Sequence, residues 1–173
     1  MTRSCAAVAL ALMFSVAACG GDDEAPSTRA AATAEAPVDD VAGAVEDRWQ
    51  SYWHARIAAE KSGRLDRRSF TAVASGKALE AQTRRMRNYR RNALVRVGEP
   101  EFRDVEVRRT DDSAMVLACF NADAWTATVD GEPWSAQKYG WELTGSVMKQ
   151  VEGAWLVADE MATEDIADMG KTC

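Results

Sequence analysis

The sequence predicts an α+β domain in which N-terminal helices pack on a curved antiparallel sheet. Three observations carry this. Apolar residues recur at steps of four early in the chain, as they do along one face of a helix. After Leu94 the period changes to alternation, the mark of a strand with two unlike faces. The two kinds of segment are segregated, helices first and strands after, which favours helices laid against an antiparallel sheet over interleaved parallel units.

Each element has a local reason. In "VDDVAGAVEDRWQSYWHARIAAEKSG", Val41, Val45, Trp49, Trp53 and Ile57 form one helical stripe. Asp39 or Asp40 can cap its start, and Gly63 follows its end. "LDRRSFTAVASG" reads as a short helix with Asp66 as N-cap. "GKALEAQTRRMRNYRRNA" is a second long helix, with Leu79, Gln82, Met86, Tyr89 and Ala93 inward and Arg84, Arg87 and Arg91 outward. "FRDVEVRRT" alternates, "DDS" turns, and "AMVLACFNA" is a strand. Asp130-Gly131 is a hairpin signal, because both residues tolerate the positive φ that a two-residue turn demands. "KYGWELTGSVMKQV" alternates again, and a regular pleat puts Trp141, Leu143, Val147 and Val151 on one side. Glu152-Gly153 then turns into "AWLVADEM", the last strand.

A different chemistry precedes the domain. From Cys5 to Ala18 the chain is uncharged and almost wholly apolar, behind a short segment carrying Arg3. The run is short for a membrane span, which needs ~20 apolar residues, and fits the apolar region of an export signal. It ends in Val16-Ala17-Ala18-Cys19, which resembles a bacterial lipobox. That resemblance implies cleavage between Ala18 and Cys19 and a diacylglycerol on the Cys19 sulfur. Residues 1–18 are then a lipoprotein signal peptide. The alternatives are a plain signal peptide or an uncleaved anchor. Residues 19–37 hold the acylated cysteine and a spacer of Ala, Gly, Asp, Glu, Ser, Thr and Pro, expected to be a disordered tether because it has almost nothing to bury. Residues 38–173 are one domain's length.

The whole chain carries 21 Lys and Arg against 27 Asp and Glu, a net −6. The charge is uneven: −6 over residues 22–55, +8 over 56–109 and −9 over 110–173. The basic run "TRRMRNYRRN" reads either as a solvated helix face or as a contact for anionic lipid headgroups or an acidic partner. Nucleic acid is not an expected partner of an exported lipoprotein.

The order of helix, short helix, long helix and strand meander resembles the nuclear-transport-factor-2-like superfamily, which includes ketosteroid isomerase. More narrowly the chain resembles small actinobacterial lipoproteins that carry such a cone behind an acylated tether. The residues bearing this are "SGKALEAQ", "MVLACFNADAW", "TVDGEP" and "KQVEGAWLVADE", within about Asp40 to Cys173. The resemblance implies a cone-shaped, ketosteroid-isomerase-like domain. With Cys5 lost and Cys19 acylated, Cys119 and Cys173 remain. An oxidising envelope suggests a disulfide between them, and the similar lipoproteins often end in such a cysteine. A free buried Cys119 with a loose tail is the alternative.

In a cone of this kind Trp49, Trp53, Tyr89, Trp125 and Trp141 are candidate pocket residues for a small apolar ligand. The alternative is that they fill the cone as core. Trp125 and Trp134 flank a loop, so the rim is their expected place. His54, the single histidine, reads as a partly exposed helix residue. With one histidine and no C-x-x-C, no metal site and no cofactor are expected. An isomerase-type mechanism needs a carboxylate base and an oxyanion donor in an apolar pocket. Asp123, Tyr52 and Tyr89 are nominal candidates that no motif aligns to that role, so no catalytic residue is assigned. The sequence therefore points to a membrane-anchored, extracytoplasmic lipoprotein with a non-catalytic domain. It would bind an envelope protein or a small apolar ligand, or serve as an envelope accessory protein. An isomerase- or dehydratase-type enzyme is the alternative.

Overall fold

The structure, a computed structural model, describes residues 38–135 and 137–173. The predicted signal peptide and tether, with Ala18 and Cys19, lie outside the described residues. Three helices come first: α1 (Val38–Ser62), α2 (Arg67–Thr71) and α3 (Gly76–Arg91). Seven strands follow: β1 (Leu94–Val97), β2 (Glu101–Arg109), β3 (Ser113–Asn121), β4 (Thr126–Val129), β5 (Glu132–Trp134), β6 (Trp141–Val151) and β7 (Ala154–Glu160). A short α4 (Thr163–Ala167) precedes the C-terminus. The fold is α+β, as predicted.

The helix boundaries follow local chemistry. Asp39 and Asp40 fall in the first turn of α1 rather than ahead of it as caps. Asp66 caps α2: its carboxylate accepts from the Arg68 N–H at 3.0 Å. A hydrogen bond from Ser69 holds that carboxyl below its ordinary pKa. Ala93, expected on the inner stripe of α3, lies beyond the helix, exposed, at φ +45°.

The strands form two antiparallel sheets. The larger runs in the order β2-β3-β6-β7 and the smaller β1-β4-β5. The β4–β5 turn places Asp130 at φ +52° and Gly131 at φ +85°, as a two-residue hairpin turn requires. Two irregularities bend the larger sheet. One lies between Arg103 and Glu106, where Asp104 has φ +53°, and the other between Val147 and Met148. The outer edge of β7 is not left open. The segment between α2 and α3 bonds to it, with Ser75 N–H donating to the Val157 carbonyl and Val157 N–H to that of Val73. Gly98 has φ +79°, and a methyl there would run into the Ala124 carbonyl, so the β1–β2 connection needs glycine.

Both faces of the larger sheet are covered. Ala114, Val116, Ala118, Met148, Trp155 and Val157 face the helices and pack with Val45, Trp49, Tyr52, Trp53 and Phe70. The opposite face carries Leu117, Cys119 and Leu143, with Cys119 paired to Leu143 across strands. The C-terminal arm lies over that face. Arg108 donates to the Met169 carbonyl and Arg103 to the Cys173 carbonyl. Gly145 has no side chain, which leaves room for Met161: an added Cβ would meet the Met161 sulfur at 2.8 Å.

Cys119 and Cys173 form a disulfide with their Cα atoms 5.6 Å apart, which excludes the free-thiol alternative. The bond closes a separation of 54 residues and staples the arm to a central strand. For a loop of that length the chain-entropy model gives roughly 4 kcal/mol. Cys119→Ser and Cys173→Ser should each lose about that much in denaturant unfolding. The double variant should lose little more than either, because all three break one bond. Additive losses would contradict this.

Candidate functional site: an aromatic core closed by a buried ionic cluster

The stripe that places Trp53 and Ile57 inward on α1 continues to position 60, where the sequence has glutamate. Glu60 is fully buried. The helices and β1 bring donors to its carboxyl group. One oxygen accepts from Arg56 Nε at 3.0 Å, one turn away, and from Gln82 Nε2 of α3 at 3.3 Å. The other accepts from the Tyr89 hydroxyl at 3.2 Å. Arg85 of α3 and Arg96 of β1 approach at 3.7 and 3.8 Å. Gln82, the polar residue predicted on the inner stripe of α3, is thereby explained: its amide oxygen also accepts from Arg85.

A second carboxylate, Glu160 at the end of β7, shares the same arginines. Arg56 donates to it at 2.6 Å and Arg85 at 2.9 Å, and the Tyr52 hydroxyl also donates. Arg96 donates to the Tyr89 hydroxyl and to the Trp125 carbonyl, at 3.2 and 3.0 Å. Three arginines and two glutamates thus join α1, α3, β1 and β7.

Burial alone would raise the Glu160 carboxyl, but Arg56 and Arg85 outweigh it and hold the group below its ordinary value. Burial, with the neighbouring Glu160 charge, pushes the Tyr52 phenol far above its ordinary value. For Arg85, burial acts to lower the pKa, and the Glu160 and Glu60 charges more than reverse it. These shifts run against proton transfer near neutral pH, which wants a carboxylate raised or a phenol lowered toward 7. The arrangement suits a cross-link.

The aromatic core lies against this cluster. Trp53 is at its centre, with ring centroids 4.7 Å from Phe102, 5.5 Å from Phe120, 6.2 Å from Trp49 and 6.3 Å from Trp125. The Arg56 guanidinium sits 4.3 Å over the Trp53 ring, and that of Arg96 sits 4.8 Å over Trp125. Trp49 donates its indole N–H to the buried Ser146 hydroxyl at 3.2 Å. The indole N–H groups of Trp53 and Trp125 are buried without a partner among the described residues. Beside Trp49 and Trp53, between α1 and the start of β2, lies a cleft of about 280 Å³ bordered by His54, Glu99 and Phe102.

Of the candidate pocket residues, the structure brings Trp49, Trp53 and Trp125 together as mutually packed, buried rings. Tyr89 belongs to a separate buried group with Ala59 and Met86 and reaches the core through Glu60 and Arg96. Trp141 does not join them. It lies on the face of β6 away from the helices, half-buried, with the Arg103 guanidinium 4.1 Å over its ring. The even-numbered positions of β6, Ser146 and Met148, point inward instead. The expected rim also divides. Trp134 is 50 % exposed, but Trp125 is 2 % exposed and buried under its loop. Asp123 organises that loop, accepting from the backbone N–H groups of Tyr139 and Gly140. His54 is exposed, as read from its position.

Sequence reasoning missed Glu60, Glu160, Arg56, Arg85 and Arg96. One signal was present. The α1 stripe, continued one turn past Ile57, arrives at Glu60, and Arg56 stands four residues before it. Among the described residues no group of three His, Cys, Asp or Glu side chains is placed to hold a metal.

No protein-family model matches the chain, and no curated protein matches it. Among solved structures it is similar to the intermembrane-space region of the chloroplast protein ARC6, at 13% identity. That likeness covers 69% of this chain and 94% of that one, with a TM-score of 0.47. It is also similar to a dehydratase candidate of the nuclear-transport-factor-2-like family from Streptomyces avermitilis (14% identity, 70% and 94% covered, TM-score 0.41). A third is a nuclear-transport-factor-2-like protein of unknown function from Shewanella oneidensis (13% identity, 66% and 95% covered, TM-score 0.38). None of these three reaches a TM-score of 0.5, and the fold class rests on the element order and strand pairing described above.

Removing one partner from a buried charge cluster leaves the others uncompensated, at a cost of about 3–5 kcal/mol. Glu60→Ala should lose that much in denaturant unfolding. Lys61→Ala, which breaks an exposed pair with Glu99, should stay within about 0.5 kcal/mol of the parent. Equal losses for the two variants would contradict the assigned role of Glu60.

Proposed function

We propose that this protein is an extracytoplasmic lipoprotein, held at the cell membrane by acylated Cys19. Its domain, of the nuclear-transport-factor-2-like kind, works without catalysis as a binding or accessory module of a bacterial envelope. The observation that carries the functional half is the interior. The buried Glu60 and the half-buried Glu160 are both held by arginines, and Trp49 and Trp125 pack on Trp53 where an acid–base site would need room. The apolar run ending at Val16-Ala17-Ala18-Cys19 supports the anchor. The Cys119–Cys173 disulfide supports an oxidising compartment. Two acyl chains would give stable anchoring where one would not. A small apolar ligand, if one is used, has the cleft beside Trp49 and Trp53 as its nearest access to the core.

The anchor is tested by fractionation. Cys19→Ala should leave an uncut precursor that lacks the acyl mass, while the parent chain should yield a mature form beginning at an acylated Cys19. Mass spectrometry of the membrane-extracted protein reads both. A parent chain with an unmodified Cys19, or a variant cut at the same bond, would overturn the lipoprotein reading.

A further inference from the structure

The outer face of α3 carries Arg84, Arg87 and Arg91 at spacings of three and four, which aligns them along one side of the helix. With Arg90 they line an open groove of about 520 Å³. A second groove of about 380 Å³ shares Arg84 and Arg87 and adds Arg67 of α2. All five arginines are exposed. Among the described residues none of their guanidinium groups enters an ion pair. Arg56, Arg85, Arg96, Arg103 and Arg108 reach carboxylates, while Arg48, Arg64, Arg68 and Arg109 also enter no ion pair among the described residues, so what marks this face is the gathering of five such arginines along two neighbouring grooves. Helix formation accounts for part of the pattern, since basic residues in the last turn favour a helix and Arg90 and Arg91 lie there. It does not account for Arg84 and Arg87 in mid-helix or for Arg67 on another element. Like charges this close repel one another, and an external anion relieves that.

We infer that this arginine face docks on anionic lipid headgroups of the membrane to which the chain is tethered. Arginine forks grip phosphate oxygens two at a time, which lysines cannot do. A partner protein is the poorer fit. Protein interfaces are built around buried apolar or aromatic anchors. Among the described residues the exposed large apolar ones are Val97, Trp134, Tyr139 and Val151, none of them on α3. The chain is net negative, so an anionic surface repels most of it and attracts this face, which fixes an orientation. The inference rests on the anchored reading in one respect. A tether of eighteen residues, 20–37, reaches at most about 60 Å, and confinement of that kind makes weak contacts effective.

The test uses the full mature protein with phosphatidylcholine vesicles, with and without phosphatidylglycerol. Flotation reads the anchor. Arginine modification by phenylglyoxal, mapped by mass spectrometry, reads the face, and it is measured in the presence of vesicles whether or not the chain floats. Modification of Arg84, Arg87, Arg90 and Arg91 should slow several-fold on the anionic vesicles and recover in high salt. The exposed Arg109 of β2 should be modified at one rate throughout. Equal rates at the α3 arginines on both vesicle types would overturn the inference. So would protection by an added polyglutamate peptide but not by anionic vesicles, which would assign the face to an acidic protein. Failure to float with protection intact would count against the anchor and not against the face.

Discussion

The Glu60 carboxylate, fully buried and held by Arg56, Gln82 and Tyr89, is the constraint on which the domain depends. A charge cannot sit there unless α1, α3 and β1 all arrive in one geometry. Glu160 extends the demand to β7 through the same two arginines. The desolvation cost of such a cluster nearly cancels its attraction, so an apolar core of equal volume would be at least as stable. What the cluster adds is intolerance. A helix displaced by one residue would strand a buried carboxylate or guanidinium, and apolar packing alone imposes no comparable penalty.

The aromatic core is shaped by that cluster. Arg56 and Arg96 must reach Glu60, and their guanidinium groups pass over the faces of Trp53 and Trp125 on the way. The rings are then packed between a charged floor and the sheet, with Phe102 and Phe120 between them. On the other side of the sheet the C-terminal arm does a second, independent job. It covers Leu117, Leu143 and Cys119, and the disulfide keeps it there. The outer arginines of α3 belong to neither system. The molecule separates guanidinium groups used for structure from those left facing solvent.

The sequence was legible where one physical period dominated. The α1 stripe, the α3 stripe as far as Tyr89, the Asp66 cap and the Asp130-Gly131 turn are local, and the sequence shows each of them, while Ala93 falls past the end of α3. Trp141 was misplaced for a reason that single-strand periodicity cannot resolve. Alternation identifies an inner face only when the outer face meets water. In β6 the arm covers the outer side, so Trp141, Leu143 and Val147 are as apolar as an inner row would be. Trp125 was read as a rim residue because it borders a loop. The close approach of Gly98 to Ala124 lets that loop tuck inward and bury the ring. The ionic cluster was not read because its members lie 104 residues apart in the case of Arg56 and Glu160. The charge of each is ordinary on a surface helix or strand end, and only the tertiary fold brings them together.

The central claim is that the core is filled by its own aromatic rings and tied together by its own charges. The indole N–H groups of Trp53 and Trp125 report on this most directly, since they are buried with no partner among the described residues. Their hydrogen exchange, followed by NMR, should be slow enough to track global unfolding in added denaturant, because only unfolding would admit water to them. Fast exchange in the native protein, insensitive to denaturant and slowed on adding an apolar ligand, would show a hydrated pocket and contradict the account.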